Sequence, residues 1–166
     1  MKHHIYIFVV EDEPEVLDAI VRDLEEFEDT FPIEMADSAE EARELLSALT
    51  DDGHEIGLIL CDHVLPGQNG VERLVEMQDN PSTAETRKVL ITGQAGLDET
   101  VRAVNEADLK HYIAKPWKKK ELVETTRKLL TDYVLEQTEN PMEFMSVLDG
   151  ERIADFIRKG RSITDN

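Results

Sequence analysis

Glu11, Asp12, Asp62, Thr92 and Lys115 lie far apart in this sequence, yet each stands at the carboxyl end of a short aliphatic run. In an open α/β sheet, ligands bind outside the carboxyl ends of the strands, where the strand order reverses. Three carboxylates gathered at such an edge repel one another and raise one another's pKa unless a cation sits among them. Mg²⁺ suits the position. It takes oxygen ligands, uses one or two protein carboxylates and keeps several waters, so it can also hold a phosphoryl oxygen. Asp12 and Asp62 are the expected direct ligands, with Glu11 reaching the ion through water and the backbone carbonyl of Val64 completing the protein's share. Beside that ion Asp62 is a candidate nucleophile towards phosphorus, forming an acyl phosphate. The Lys115 ammonium can then neutralise one phosphoryl oxygen and the Thr92 hydroxyl can hydrogen-bond another.

Those residues need a scaffold that brings five strand ends together. Five β-branched or aliphatic runs alternate with longer polar stretches of helical spacing, the pattern of a parallel sheet covered on both faces. The strands are expected at 4–10, 33–36, 56–61, 88–92 and 111–114. Pro14 suits the first turn of a first helix, in which Val16, Leu17, Ile20, Val21 and Leu24 form an apolar stripe. Asp37 or Ser38 can cap a second helix that ends at Thr50-Asp51-Asp52-Gly53. Pro66-Gly67-Gln68-Asn69-Gly70 turns into a third, and Gly93 and Gly96 open the loop before a fourth. A fifth runs from Lys119 towards Leu135. The composition shifts at Thr138-Glu139-Asn140-Pro141, which sets a domain over residues 1–137 and a short helical extension over 138–166. In that extension Phe144, Val147 and Leu148, then Ile153, Phe156 and Ile157, suggest two short amphipathic helices broken at Asp149-Gly150, neither stable alone.

At this point Val9-Val10-Glu11-Asp12-Glu13-Pro14, the run from Cys61-Asp62-His63-Val64 to Asn69-Gly70, Ile91-Thr92-Gly93 and Lys115-Pro116-Trp117 resemble response-regulator receiver domains over residues 5–133. The resemblance implies a flavodoxin-like α/β fold, a doubly wound five-stranded parallel sheet of order 2-1-3-4-5. It also implies Mg²⁺-dependent phosphorylation of Asp62 by a histidine kinase or histidine phosphotransfer protein. It further implies a switch in which Thr92 moves towards the phosphate and Tyr112 turns inward, changing the face formed by the fourth helix, fifth strand and fifth helix. Such a protein is a phosphoacceptor and not an enzyme in the usual sense. Some positions depart from the usual pattern. Glu11 stands where aspartate is often found, the stretch 49–57 reads as a somewhat long exposed loop, and Val64 cannot orient a hydrolytic water. Gln94 would do so only weakly, so a fairly long-lived phosphoryl group is expected.

The composition narrows the alternatives. A formal charge of −19 argues against nucleic acid as a direct partner, because a phosphate backbone would be repelled. Residues 119–166 hold 8 Lys/Arg and 10 Asp/Glu, so −17 falls on residues 1–118. The start of the chain reads directly into a strand and no apolar run reaches the length of a membrane span, so a cytoplasmic protein is expected. The single cysteine, Cys61, excludes an internal disulfide and reads as a small core residue. The five histidines lack metal-site spacing, with His63 read as a loop residue, and Trp117 with Lys118–Lys120 as a packing anchor and a solvated helix start. A haloacid-dehalogenase-type phosphatase would need its nucleophile after the first strand with a second aspartate two residues on, and the pairs here are Glu11/Glu13 and Asp12/Pro14. A DNA-binding output is too large for residues 138–166, although the chain can be the receiver part of a longer regulator. The expected downstream partner is another protein; the extension could pack on the domain, pair with a second subunit or bind that partner, with homodimerisation and self-docking favoured about evenly.

Overall fold

The computed structural model describes residues 3–93 and 96–164. Five parallel strands, β1 (Ile5–Val10), β2 (Ile33–Ala36), β3 (Glu55–Cys61), β4 (Arg87–Thr92) and β5 (His111–Ala114), form one sheet of order β2-β1-β3-β4-β5. The central three strands read as continuous apolar runs because both of their faces are covered. The helices that follow them are α1 (Pro14–Asp23), α2 (Ala39–Asp51), α3 (Gly70–Asp79), α4 (Leu97–Ala107) and α5 (Lys119–Gln137). On one face Ile7, Val9, Leu58, Leu60, Val89 and Ile91 meet Ile20 and Leu24 of α1 and Leu122, Leu129 and Leu130 of α5. On the other, Phe8, Val10, Ile59 and Leu90 meet Ala42 and Leu46 of α2, Val71 and Leu74 of α3, and Ala103 and Ala107 of α4. The strand order reverses between β1 and β3, so the carboxyl ends of these two strands open the crevice that the site occupies.

Local signals explain most element starts. Pro14 opens α1, the Ser38 hydroxyl accepts the Glu41 N–H at the start of α2, and Asn69 Oδ1 accepts the Glu72 N–H at 2.8 Å at the start of α3. One expectation is corrected. The stretch 49–57 is not a long loop: α2 continues through Asp51 and β3 begins at Glu55, leaving three residues between them, with Gly53 at φ +87° making the turn.

The extension folds back onto the body. Its first expected helix is a single 3₁₀ turn, Pro141–Phe144, and its second is a longer α6, Gly150–Thr164, capped by Asp149 Oδ1 on the Arg152 N–H. Phe144 stacks on Phe31 at 5.3 Å between ring centroids, and Leu148 and Ile153 are buried in the α1–α5 core. Polar links fasten the same seam. Arg127 reaches both Glu26 and the Val147 carbonyl, Arg152 pairs with Asp132 at 2.6 Å, and the Asp149 N–H donates to Thr131 Oγ1. Self-docking is therefore the arrangement seen in this structure.

Candidate functional site

The ends of β1, β3, β4 and β5 bring the anticipated residues together. One oxygen from each of Glu11, Asp12 and Asp62 lies within 4.8 Å of the others, with Glu11 and Asp62 buried and Asp12 exposed. The Lys115 ammonium sits against two of them, 2.9 Å from Glu11 Oε2 and 3.4 Å from Asp62 Oδ2. Three carboxylates and one ammonium leave a local charge of −2, which matches a divalent cation. Glu11 is fully buried, and its second oxygen accepts the Glu13 N–H at 3.2 Å. Both of its oxygens are thus engaged by the protein, which leaves Asp12 and Asp62 as the carboxylates better placed to face an ion. Burial raises the Glu11 pKa, helped by the Asp62 charge and only partly offset by Lys115. For Lys115, burial acts to lower the pKa, but the bond to Glu11 and the two carboxylate charges outweigh it and hold the pKa above the ordinary lysine value.

The main chain fixes Asp62. Its N–H donates to the Val10 carbonyl at 3.0 Å, extending the β1–β3 ladder by one residue. The loop beyond it is pinned when the Gly70 N–H donates to the His63 carbonyl at 2.7 Å. A Cβ on Gly70 would lie 1.8 Å from the Asp62 carbonyl oxygen, so only glycine lets α3 start this close to the strand end. Sequence reading placed Asn69-Gly70 in a turn but did not find this contact, which depends on the approach of α3.

Thr92 is buried at the end of β4, and the Lys115 N–H donates to its carbonyl at 3.3 Å. The Tyr112 hydroxyl donates to the same carbonyl at 3.0 Å, while its half-buried ring packs beside the α2–α4 core. The two anticipated switch residues are thus in direct contact. The Val64 side chain is exposed and lies clear of the core, and the Lys115–Pro116 peptide bond is cis. Trp117 anchors the following loop, its indole N–H donating to Asp23 of α1 at 2.9 Å. Gln94 lies outside the described residues.

A buried aspartate, an acidic pair, a hydroxyl and a lysine at the strand ends of a five-stranded doubly wound sheet are the arrangement of a receiver domain. The family model for the response regulator receiver domain matches residues 7–127, and the chain belongs to that family. The chain is 36% identical over 121 residues to the hydrogenase transcriptional regulatory protein HoxA of Cupriavidus necator, covering 73% of this chain and 23% of that protein. It is 31% identical over 134 residues to the protein of the same name from Bradyrhizobium diazoefficiens, covering 79% and 25%. The chain therefore spans about a quarter of the length of these relatives. A solved CheY-like receiver domain protein from Methanospirillum hungatei superposes with a TM-score of 0.68 at 26% identity, covering 80% of this chain and 98% of that one. The signal receiver domain of an HD domain-containing protein from Pseudomonas fluorescens shares the fold at a TM-score of 0.72 and 23% identity, covering 84% and 96%. No described helix is long and apolar enough to cross a membrane.

Proposed function

We propose that this receiver takes a phosphoryl group onto Asp62 from a histidine kinase or a histidine phosphotransfer protein, with Mg²⁺ as its cofactor. The observation that carries the reading is the convergence of Glu11, Asp12 and Asp62 around the Lys115 ammonium. The donor set, all carboxylate oxygen with a residual charge of −2, fits a hard divalent ion held by Asp12, Asp62 and the Val64 carbonyl, with Glu11 behind them. When bound, Mg²⁺ supplies charge neutralisation to the phosphoryl oxygens. An Asp62 carboxylate oxygen attacks phosphorus, the bond from phosphorus to the donor's nitrogen or oxygen breaks, and the donor leaves with that electron pair. Lys115 gives up part of its pairing with Asp62 to balance a phosphoryl oxygen. The Thr92 hydroxyl donates to another, and Tyr112, bonded to the Thr92 carbonyl, carries that movement to β5 and α4.

The output is a protein contact on the α4–β5–α5 face. Leu97, Val101 and Val104 are 79%, 47% and 51% exposed and lie on one stripe of α4, which supports that choice. The domain comprises residues 1–137, with 138–166 as an extension whose buried residues Phe144, Leu148 and Ile153 dock on the body. A second reading, that this is the receiver part of a longer regulator whose DNA-binding or enzymatic output follows residue 166, is favoured by the length of the relatives, roughly three times that of this chain.

Intact-mass measurement after incubation with acetyl phosphate and Mg²⁺ tests the proposal. One added phosphoryl group that requires Mg²⁺ and disappears in Asp62→Asn is the expected result. An unchanged mass would refute it.

A further inference from the structure

His63 follows Asp62 directly, and its side chain is only 15% exposed because it lies against the first turn of α4. There its Nε2 stands 3.7 Å from Glu99 Oε2, too far for a hydrogen bond. The contact is unfinished on the carboxylate side. Among the described residues, Glu99 Oε2 is buried with no hydrogen-bond partner, and so is the other imidazole nitrogen, His63 Nδ1. Burying a polar atom without a partner is costly, so a conformation that brings the Nε2 N–H onto Glu99 Oε2 is favoured whenever the elements can approach. Closing the gap to an ordinary N–H···O length needs a movement of about 0.7–0.8 Å.

Of the two sides of this contact, the His63 side is the one held by the main chain. The His63 carbonyl is held by the Gly70 N–H, which fixes the loop to α3. By contrast, α4 starts at Gly96 with no side-chain cap, and its buried residues are the two small side chains Ala103 and Ala107. Leu97, Val101 and Val104 on its outer face are exposed. A helix that buries only small side chains in the core can shift without opening a large cavity. It is also the helix that follows Thr92 in the chain.

We infer that His63 is a positioning residue: when Asp62 carries a phosphoryl group, α4 moves towards the β3–α3 loop and the His63 imidazole N–H donates to Glu99. The inference rests on the phosphorylation of Asp62 proposed above and adds the element through which the loop speaks to α4. The bond then holds the apolar stripe of α4 in the position that a partner reads.

The test compares the native chain with His63→Ala, His63→Gln, Glu99→Ala and the double variant His63→Ala/Glu99→Ala. Intact mass is read with and without acetyl phosphate and Mg²⁺, and amide hydrogen exchange is followed in peptides covering α4. All variants should gain one phosphoryl group. The native chain should show slower exchange in α4 on phosphorylation, and His63→Ala and Glu99→Ala should lose about tenfold of that slowing. The double variant should lose no more than either single one, and His63→Gln, which keeps an N–H donor, should recover part of it. A phosphorylated His63→Ala protein whose α4 responds as the native protein does would overturn the coupling alone. If the native chain gains no mass, the phosphorylation reading falls and this inference with it.

Discussion

Replacing Gly70 with alanine tests the site through geometry alone. The new Cβ would sit 1.8 Å from the Asp62 carbonyl oxygen, 2.8 Å from its carbonyl carbon and 3.1 Å from Cys61 Sγ. Real Cβ atoms do not approach closer than 3.0 Å, so strand end and helix start must part by at least 1.2 Å. The obstacle is main chain and cannot rotate aside. Parting them strains the Asp62 N–H bond to Val10 and the Gly70 N–H bond to His63, together about 2 kcal/mol. Overpacking adds a further 1–3 kcal/mol or so, and alanine's better helix propensity returns up to about 1 kcal/mol. The net destabilisation is about 3 kcal/mol, a fall in Tm of roughly 6–12 °C for a chain of this size. Circular dichroism melting gives the first number, and the initial rate of mass gain with acetyl phosphate gives the displacement of Asp62. Gly67 supplies the control: it has φ +80° and nothing within 4 Å of an added Cβ, so Gly67→Ala should cost only about 1 kcal/mol of backbone strain. A Gly70→Ala protein melting within a degree or two of the native chain, with unchanged phosphoryl uptake, would refute the close-approach argument.

Lys88 is buried, with its ammonium donating to Gln78 Oε1 and to the Ala84 and Thr86 carbonyls, and burial pushes its pKa down to about 8 from an ordinary 10.5. The unfolded chain holds this proton up to a higher pH than the folded one, so this group's contribution to stability should rise between about pH 8 and 10.5. Denaturant titrations across that window should show the slope, and Lys88→Met should abolish it. Phe144→Ala removes the ring stacked on Phe31 and should cost about 3 kcal/mol, with faster hydrogen exchange in residues 138–164 and the β-sheet peptides unaffected. Asp12→Asn should weaken Mg²⁺ binding at least about tenfold, followed by the fluorescence of Trp117, two residues from Lys115. Equal affinity in that variant would remove Asp12 from the ligand set.

The sheet was legible because its strands carry period and length signals of their own. Ile33–Ala36 and His111–Ala114 have the anticipated bounds, and β1, β3 and β4 differ by one residue at their starts. The carboxylates, Thr92 and Lys115 were legible because strand ends in this topology converge. What escaped reading depends on approach between distant segments. Lys88 looks like a strand-edge lysine until Gln78 and the 84–86 main chain close over it. His63 looks like an ordinary loop residue until α4 lays Glu99 beside it. The 49–57 stretch misled because its polar composition belongs to an exposed helix end and a three-residue turn. In the extension, the first apolar cluster is satisfied by packing Phe144 on Phe31, which makes a full helix there unnecessary.

Cys61 is completely buried between the end of β3 and the start of α3, its Sγ 3.4 Å from the Asp62 carbonyl and 3.8 Å from that of Gly70, and burial pushes its thiol pKa far up. A thiol in that position is chemically silent while the strand end and the helix stay closed, and it becomes a nucleophile only when they separate. Since it is the chain's one cysteine, every alkylation counts an opening of the segment that carries Asp62. The protein thus contains its own clock for the lifetime of the closed site, readable in the unaltered sequence by mass alone.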